Sequence, residues 1–203
     1  MLVNKKIILF DWDDTLFSKT EYKKRLSTAL AKICKISEDD AWKMEEEYFN
    51  SLNRSGDFRV DKFLKFVGQK SGIEINLDYL IKNNLDIYSG SVFPESADVL
   101  NQLKNNFVLG IYSQGFKDLQ STKIELSGIK FFFNEKFIYI NSNKLDSEFI
   151  KTLPNQAIVI DDKKEVIEAL KYKRPDLGLI WINRIDDEIM EGVKTIKSLK
   201  ELV

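Results

Sequence analysis

The sequence contains no histidine among its 203 residues. Histidine is the commonest general base in enzymes, and it completes Ser-His-Asp and Cys-His sites and most zinc sites. The segment GIYSQG, from Gly110 to Gly115, has small residues around Ser113 as a serine-hydrolase elbow does, but its spacing differs. Because no histidine base is available, serine hydrolases of this kind are excluded.

Cysteine and long apolar runs are also scarce. Cys34 is the only cysteine, so an internal disulfide is excluded and a reducing compartment is expected. No stretch approaches the roughly 20 apolar residues of a membrane span. The N-terminal apolar run, Ile7 to Phe10, is short and leads directly into acidic residues, unlike a signal peptide. We therefore expect a soluble cytoplasmic protein, monomeric or homodimeric, with no membrane partner.

The charges of the chain are nearly balanced, with 31 basic and 32 acidic side chains and a net charge of −1. A nucleic-acid partner usually requires a basic excess, so we expect none. Hydrophobic residues make up 43% of the chain, which is enough for a sizeable core. The length suits one large domain, or a core domain with a smaller insertion.

Short apolar runs rich in β-branched and aromatic residues recur along the chain. They cover residues 7–10, 107–112, 136–140, 157–160 and 177–182. Helical patterns lie between and after the later runs: one opens at Pro94, one is capped by Asp146, one covers 163–173, and one begins at a Ser198/Glu201 capping box. This alternation predicts an α/β fold with a doubly wound, mostly parallel Rossmann-like sheet.

Residues 18–88 have a different pattern, because no strand-like run appears for about 70 positions after the first strand. Four stretches keep helical spacing instead, and Ser37 with Asp40 forms a predicted N-cap for the second. We interpret this segment as a small all-helical cap domain with its own aromatic core, inserted into an α/β core of residues 1–17 and 89–203. Since the insertion follows the first strand, we expect it to close over the end of that strand as a lid.

Polar residues follow four of the predicted strands where each strand ends. In an open parallel sheet, ligands bind beyond the carboxyl ends of the strands, so these residues are expected to share one edge. They are Asp11 and Asp13, then Ser113 and Gln114, then Lys144, and finally Asp161 and Asp162. Several carboxylates at one edge require a cation, and oxygen ligands favour Mg²⁺ in the presence of a phosphate group.

The same set of groups suits phosphoryl transfer. A free carboxylate is a nucleophile that can form an aspartyl-phosphate. A metal ion, a lysine and a hydroxyl group are the groups that stabilise the charge of a transferring phosphoryl group. A second carboxylate two residues along an extended chain points the same way, so it can protonate the leaving oxygen and then activate water.

These strand-end residues resemble the four motifs of the haloacid dehalogenase-like (HAD) superfamily, in order and spacing, over essentially the whole chain. The matching residues are DWDDT (Asp11–Thr15), Ser113, Lys144 and the pair Asp161 and Asp162. The chain departs from the family pattern in three places, with SQG for the usual Asn-Gly after the serine, Leu145 for a proline and Ile160 for a glycine. None of these departures removes a catalytic group.

The resemblance implies catalytic and phosphate-binding roles for five residues. Asp11 is expected to be the nucleophile and Asp13 the general acid and base. Ser113 and Gln114 are expected to hold the transferring phosphoryl group. Lys144 is expected to bind phosphoryl oxygens and to offset the charge of the nucleophile.

The resemblance also implies a Mg²⁺ site. Its protein ligands would be the side chains of Asp11 and Asp161 and the backbone carbonyl of Asp13, with Asp162 nearby. Which of Asp161, Asp162 and Glu165 contacts the ion directly is left open by the sequence.

The function implied by the resemblance is a Mg²⁺-dependent phosphatase that hydrolyses a small phosphorylated metabolite through an aspartyl-phosphate. Dehalogenases of the superfamily lack the second aspartate, so Asp13 favours phosphoryl transfer over cleavage of a carbon–halogen bond. A phosphomutase of the same fold is an alternative. A receiver-like phospho-aspartate signalling module is a second alternative, although a receiver needs neither the Asp-x-Asp pair nor a long helical insertion.

The segment NRSGDFR, from Asn53 to Arg59, interrupts the helical pattern of the insertion. Arg54 and Arg59 could meet an anionic part of the substrate. The alternative is a solvated loop whose arginines contact only water.

Overall fold

The computed structural model describes residues 5–52 and 58–203 of the chain. Contacts within the chain divide it into two compact units. The first consists of Met1–Ser18 and Val92–Val203, and the second is Lys19–Ser91. The second unit therefore lies, in sequence, between the first strand of the first unit and the rest of that unit.

The first unit is built on a six-stranded sheet in which every neighbouring pair of strands is parallel. Its strands are β1 (Lys6–Phe10), β2 (Phe107–Gln114), β3 (Ile138–Asn141), β4 (Ile158–Asp161), β5 (Gly178–Ile182) and β6 (Lys194–Ile196). The order across the sheet is β3-β2-β1-β4-β5-β6. The order runs outward from β1 in both directions, so the predicted doubly wound α/β fold is confirmed.

Helices flank this sheet and make up most of the second unit. In the described ranges the α-helices are α1 (Lys19–Cys34), α2 (Glu38–Asn50), α3 (Val60–Ser71), α4 (Leu77–Asn83), α5 (Asp86–Ser89), α6 (Ser96–Leu103), α7 (Lys117–Leu126), α8 (Ser147–Lys151) and α9 (Lys164–Lys173). Short 3₁₀ helices cover Lys130–Phe132, Glu135–Phe137 and Leu199–Leu202. None of the helices in the described ranges has the length and apolar character needed to cross a membrane.

The strands read as apolar runs because both faces of a parallel sheet are covered. Ile8, Leu9 and Phe10 of β1 are all buried, as are Val159 and Ile160 of β4. The buried parts of the central strands therefore do not alternate between apolar and polar residues, as a strand with one solvated face does. Their acidic side chains appear at the carboxyl ends of the strands, which is the edge that concerns function.

Three predicted helix caps are confirmed. The side chain of Ser37 accepts a hydrogen bond from the backbone nitrogen of Asp40 at 3.1 Å, and Asp146 accepts one from the nitrogen of Phe149 at 2.9 Å. Both bonds satisfy a backbone donor that the first turn of a helix leaves free. The capping box of Ser198 and Glu201 is also present, but it opens a 3₁₀ helix.

Some elements differ from the sequence predictions. The run predicted as a strand at 136–140 begins in a 3₁₀ helix, because the side chain of Asn134 accepts from the nitrogen of Lys136 and starts a turn there. Strand β6 was not predicted, since it has three residues of which only Ile196 is buried. Helix α7 was also missed, because its apolar residues do not follow a clear helical period.

The second unit has an aromatic core of its own, as predicted. The ring of Tyr48 lies 5.4 Å from that of Phe63, 5.5 Å from Phe66 and 5.7 Å from Phe58. The predicted fourth helix of this segment is interrupted at Asn84, whose backbone leaves the helical region at φ −144°. Helices α4 and α5 are the two resulting pieces.

Candidate active site

The pairing of β1 with β4 places two predicted carboxylates side by side. Phe10 is opposite Ile160 in this pair, and the backbone nitrogen of Asp11 donates to the carbonyl of Ile160 at 2.8 Å. Asp11 and Asp161 follow these partners directly, so parallel register brings them to adjacent positions. The two residues are 3% and 0% exposed, respectively.

Lys144 joins the two carboxylates. Its ammonium nitrogen lies 2.7 Å from Asp11 Oδ1 and 2.5 Å from Asp161 Oδ2, and the lysine is fully buried. The loop that carries it after β3 is fixed locally, because Asn141 and Asn143 each accept a hydrogen bond from the backbone two residues later. The hydroxyl of Tyr112 also donates to the backbone carbonyl of Lys144.

The charges of this group do not balance, because one ammonium faces two carboxylates. Burial, followed by the neighbouring charge of Asp11, raises the pKa of Asp161 to about 7. Burial alone would lower the pKa of Lys144, but the two carboxylates outweigh it and raise that pKa above its ordinary value. The lysine therefore stays charged, and the site retains excess negative charge that favours a further cation.

A metal site is available at the same place. Carboxylate oxygens of Asp11, Asp161 and Asp162 all lie within 4.8 Å of one another. Three oxygen donors at this separation fit a hard divalent cation. Asp161 is oriented by the backbone nitrogen of Lys163, which donates to its Oδ1 at 2.9 Å, and Trp181 donates to the backbone carbonyl of Asp162 at 2.8 Å.

The cluster of Asp11, Asp161 and Asp162 favours Asp161 and Asp162 over Glu165 as direct metal ligands. Within the described residues, the side chains of Asp13 and Glu165 are not part of it. Glu165 is exposed on α9. The ligand expected from Asp13 was its backbone carbonyl, so its side chain is left for another role.

The Asp13 carboxylate contacts helix α7. The ammonium of Lys123 lies 2.8 Å and 3.0 Å from its two oxygens, and the side-chain nitrogen of Gln120 donates to Oδ2 at 3.0 Å. The same nitrogen of Gln120 lies 2.9 Å from Ser113 Oγ and 2.9 Å from the backbone carbonyl of Gln114. One buried amide thus links the three predicted residues Asp13, Ser113 and Gln114.

The loop after Asp11 is a tight turn held by a distant arginine. Asp14 has φ 65°, a left-handed conformation that aspartate tolerates better than most residues. The guanidinium of Arg184 donates to the backbone carbonyl of Thr15 at 3.0 Å and to Glu95 Oε1 at 2.8 Å. It also stacks 3.7 Å from the ring centre of Phe93.

The structure therefore brings the predicted core residues together in two groups, with Asp11, Lys144, Asp161 and Asp162 in one, and Asp13, Ser113 and Gln114 in the other. The predicted substrate arginines are separate from both groups in sequence, in the second unit. Arg59 pairs with Asp61 at 3.1 Å. Arg54 lies outside the described residues.

Sequence reasoning missed Gln120, Lys123 and Arg184. Gln120 and Lys123 are three residues apart, so one helical face presents both, but the weak period of α7 hid the helix. A clearer signal existed for Arg184. It is the second residue after β5, and the strand-end rule applied to that fifth run would have found it.

Comparisons with known proteins identify the family of this chain and structures with a similar fold. A family model described as haloacid dehalogenase-like hydrolase matches residues 5–172. Among curated proteins, none matches the sequence significantly. An HAD phosphatase from Thermococcus onnurineus has a similar structure, with 20% identity, a TM-score of 0.58, and coverage of 97% of this chain and 95% of that one.

Two further solved structures have a similar fold. YfnB from Bacillus subtilis, solved bound to magnesium, has 18% identity and a TM-score of 0.61, with coverage of 98% of this chain and 97% of that one. The L-2-haloacid dehalogenase from Xanthobacter autotrophicus has 12% identity and a TM-score of 0.56, with coverage of 98% and 96%. At these identities the structures show a shared fold, whereas the family match covers most of the sequence. The chain therefore belongs to the haloacid dehalogenase-like hydrolase family.

Proposed function

We propose that this protein is a Mg²⁺-dependent phosphatase that hydrolyses a small phosphorylated metabolite through an aspartyl-phosphate on Asp11. The observation that carries this proposal is the position of Asp13. Its carboxylate shares the amide of Gln120 with Ser113 Oγ, a hydroxyl proposed to hold a phosphoryl group. A phosphatase needs an acid and base next to such a hydroxyl, whereas cleavage of a carbon–halogen bond leaves a halide that needs no proton.

In the first step, a carboxylate oxygen of Asp11 attacks the phosphorus atom, and the bond from phosphorus to the leaving oxygen breaks. Asp13 donates its proton to that oxygen, so the leaving group departs as an alcohol. In the second step, Asp13 takes a proton from water, and the water oxygen attacks the same phosphorus atom. The bond to Asp11 breaks, which releases inorganic phosphate, restores the carboxylate of Asp11 and leaves Asp13 protonated for the next cycle.

The other residues stabilise charge. Lys144 offsets the negative charge of Asp11 when a phosphoryl group approaches, and Ser113 donates to a phosphoryl oxygen. Asp11, Asp161 and Asp162 would hold Mg²⁺, together with the carbonyl of Asp13. When bound, Mg²⁺ neutralises charge on the phosphoryl oxygens and on the carboxylates around them.

The test is a screen of phosphorylated metabolites with Mg²⁺, reading phosphate release, beside an L-2-haloacid for which halide release is read. We expect phosphate release from several monoesters and no halide. Excess chelator should stop the reaction, Mg²⁺ should restore it, and Ca²⁺ should restore it poorly because it tolerates looser coordination. Halide without phosphate, or full activity in chelator, would contradict the proposal.

The phosphate-release screen separates a phosphatase from a phosphomutase, and a lifetime measurement tests the receiver-like alternative. A phosphomutase would need a bisphosphate cofactor to turn over. A receiver-like module would keep its phospho-aspartate for a long time after phosphorylation, whereas a phosphatase hydrolyses it within each turnover. The lifetime of the phosphorylated protein, followed after a single addition of phosphate donor, separates the receiver-like module from both enzymes, in which the phospho-aspartate is short-lived.

A further inference from the structure

We propose that Gln120 and Lys123 are positioning residues that hold the Asp13 carboxylate and the Ser113 hydroxyl in their working orientation before substrate binds. This inference rests on the proposed function, since it concerns how the acid and base of that reaction is oriented. Both residues lie on α7 and follow Ser113 by only seven and ten positions. Their contacts with Asp13 span 107 and 110 positions.

The amide nitrogen of Gln120 lies among three acceptors, which share its two hydrogens. Its amide nitrogen carries two hydrogens, and it lies 2.9–3.0 Å from three acceptors: Asp13 Oδ2, Ser113 Oγ and the carbonyl of Gln114. The side chain is 2% exposed, and its Oε1 has no hydrogen-bond partner within the described part of the chain. A buried acceptor without a partner costs stability, so the orientation of this amide is set by the acceptors around its nitrogen.

Gly115 makes room for this amide. A Cβ atom at position 115 would lie 2.8 Å from Cγ of Gln120, and the glycine has φ 151°, which side chains rarely adopt. The SQG segment therefore has a packing reason for its glycine. The close approach fixes Gln120 against the backbone that carries Ser113.

Lys123 fixes the plane of the carboxylate. Its ammonium contacts both oxygens of Asp13, and the two side chains are 18% and 20% exposed. Lys123 contacts both oxygens of this carboxylate, and Gln120 donates to Oδ2. These contacts together leave the carboxylate little rotational freedom. The bond from Gln120 also orients the hydroxyl of Ser113. Because this hydroxyl accepts from Gln120, its own hydrogen is available to donate to a phosphoryl oxygen.

Loss of the contacts that orient Asp13 is expected to lower the reaction rate. A misplacement of about 1 Å in a catalytic group can reduce the rate by about 100-fold. Asp13 acts in both steps, and the second step depends on it entirely because water is a poor nucleophile. Loss of either positioning residue should therefore slow hydrolysis of the aspartyl-phosphate more than its formation from a good leaving group.

The experiment compares Lys123→Met and Gln120→Glu with the wild type. Gln120→Glu keeps the shape of the side chain but replaces the donor with an oxygen that repels Asp13. We expect kcat to fall by about 100-fold, KM to change by less than about threefold, and the phosphorylated enzyme to accumulate during turnover of an aryl phosphate. Lys123→Arg should recover most of the rate, and Lys117→Met, the same change at an exposed position of α7, should match the wild type.

Crystal structures of the two variants give a readout that does not depend on activity. We expect the Asp13 carboxylate to leave its position in both variants, while Asp11, Lys144 and Asp161 stay in place. An unmoved Asp13, or a Lys123→Met enzyme with wild-type kcat, would overturn the positioning role. A wild-type enzyme that releases no phosphate would contradict the proposed function instead, and the position of Asp13 in the variants would still decide this inference.

Discussion

The ammonium of Lys144 lies 2.5 Å from the carboxylate of Asp161, and both side chains are completely buried. The pair is not isolated, because Asp11 approaches the same ammonium from 2.7 Å. Removing charges from water is costly unless they are paired, so the second carboxylate makes this site unfavourable until another cation arrives. The geometry thus links the stability of the site to metal binding.

The first prediction is that the affinity for Mg²⁺ rises with pH. The pKa of Asp161 is raised to about 7, and a carboxylate must lose its proton to bind a metal. As the pH falls from about 8 to about 6, we expect the affinity to drop by up to about tenfold per pH unit, with one proton released on binding near neutral pH. Calorimetry in two buffers with different ionisation enthalpies measures both quantities.

The matched control is Asp161→Asn, which cannot titrate. It should bind Mg²⁺ weakly and without this pH dependence. The raised pKa of Asp161 also determines whether the stability of the metal-free protein rises or falls with pH. Between the ordinary value of 3.8 and about 7 the folded protein binds the extra proton, so the contribution of Asp161 to stability falls as the pH rises through this window.

The second prediction concerns the proposed nucleophile. Asp11→Asn should reduce phosphate release by at least about 10⁴-fold, because an amide oxygen does not form the aspartyl-phosphate. The fold should be preserved without metal, and thermal unfolding in chelator should occur at or above the wild-type temperature, since Lys144 then faces a single carboxylate. A folded Asp11→Asn protein with wild-type phosphate release would exclude the mechanism.

The third prediction concerns Arg184, which ties the loop after Asp11 to Glu95. Arg184→Met should lower the free energy of unfolding by about 2 kcal/mol at neutral pH, because it removes a partly buried ion pair and the donor to the carbonyl of Thr15. Arg184→Lys should recover only part of this loss, since an ammonium lacks the planar stacking on Phe93 and the second donor group. Urea unfolding measures the differences.

The pH dependence of this effect has a definite sign. Burial opposes the charged form of Glu95, but hydrogen bonds from its own backbone and from Arg184 outweigh it and hold its pKa below the ordinary value of 4.5. The stability contributed by the pair is present above that value and is lost as the pH falls through the lower folded pKa. The cost of Arg184→Met should therefore shrink in acid, and a cost independent of pH would contradict the assigned partner.

The fourth prediction tests whether Arg54 and Arg59 meet an anionic part of the substrate, as expected from the sequence. Arg59→Ala and Arg54→Ala should raise KM for the best natural substrate far more than for a small aryl phosphate. Arg59 already pairs with Asp61, so binding of an anionic substrate would have to replace that contact. Lys62→Ala, a neighbouring change at an exposed cation, is the control. An equal change in KM for both substrates would show that this segment does not recognise the substrate.

The sequence alone determined the elements whose signals are local. An apolar run that ends in a carboxylate defines both a strand and its functional end, so Asp11 and Asp161 could be identified without coordinates. The caps at Ser37 and Asp146 were also readable, because each bond joins residues three positions apart. A parallel α/β sheet then collects the strand ends at one edge, which is why most of the candidate site could be predicted.

The tertiary structure decided which side chains meet across long separations. No local pattern relates Asp13 to Lys123 or Thr15 to Arg184, which are 110 and 169 positions apart. Strand order, register and the angle of α7 set those contacts, and each depends on packing over the whole unit. The short strand β6 was also decided by tertiary structure. Its three residues are too few to show a strand period in the sequence, and it is defined by its pairing with β5.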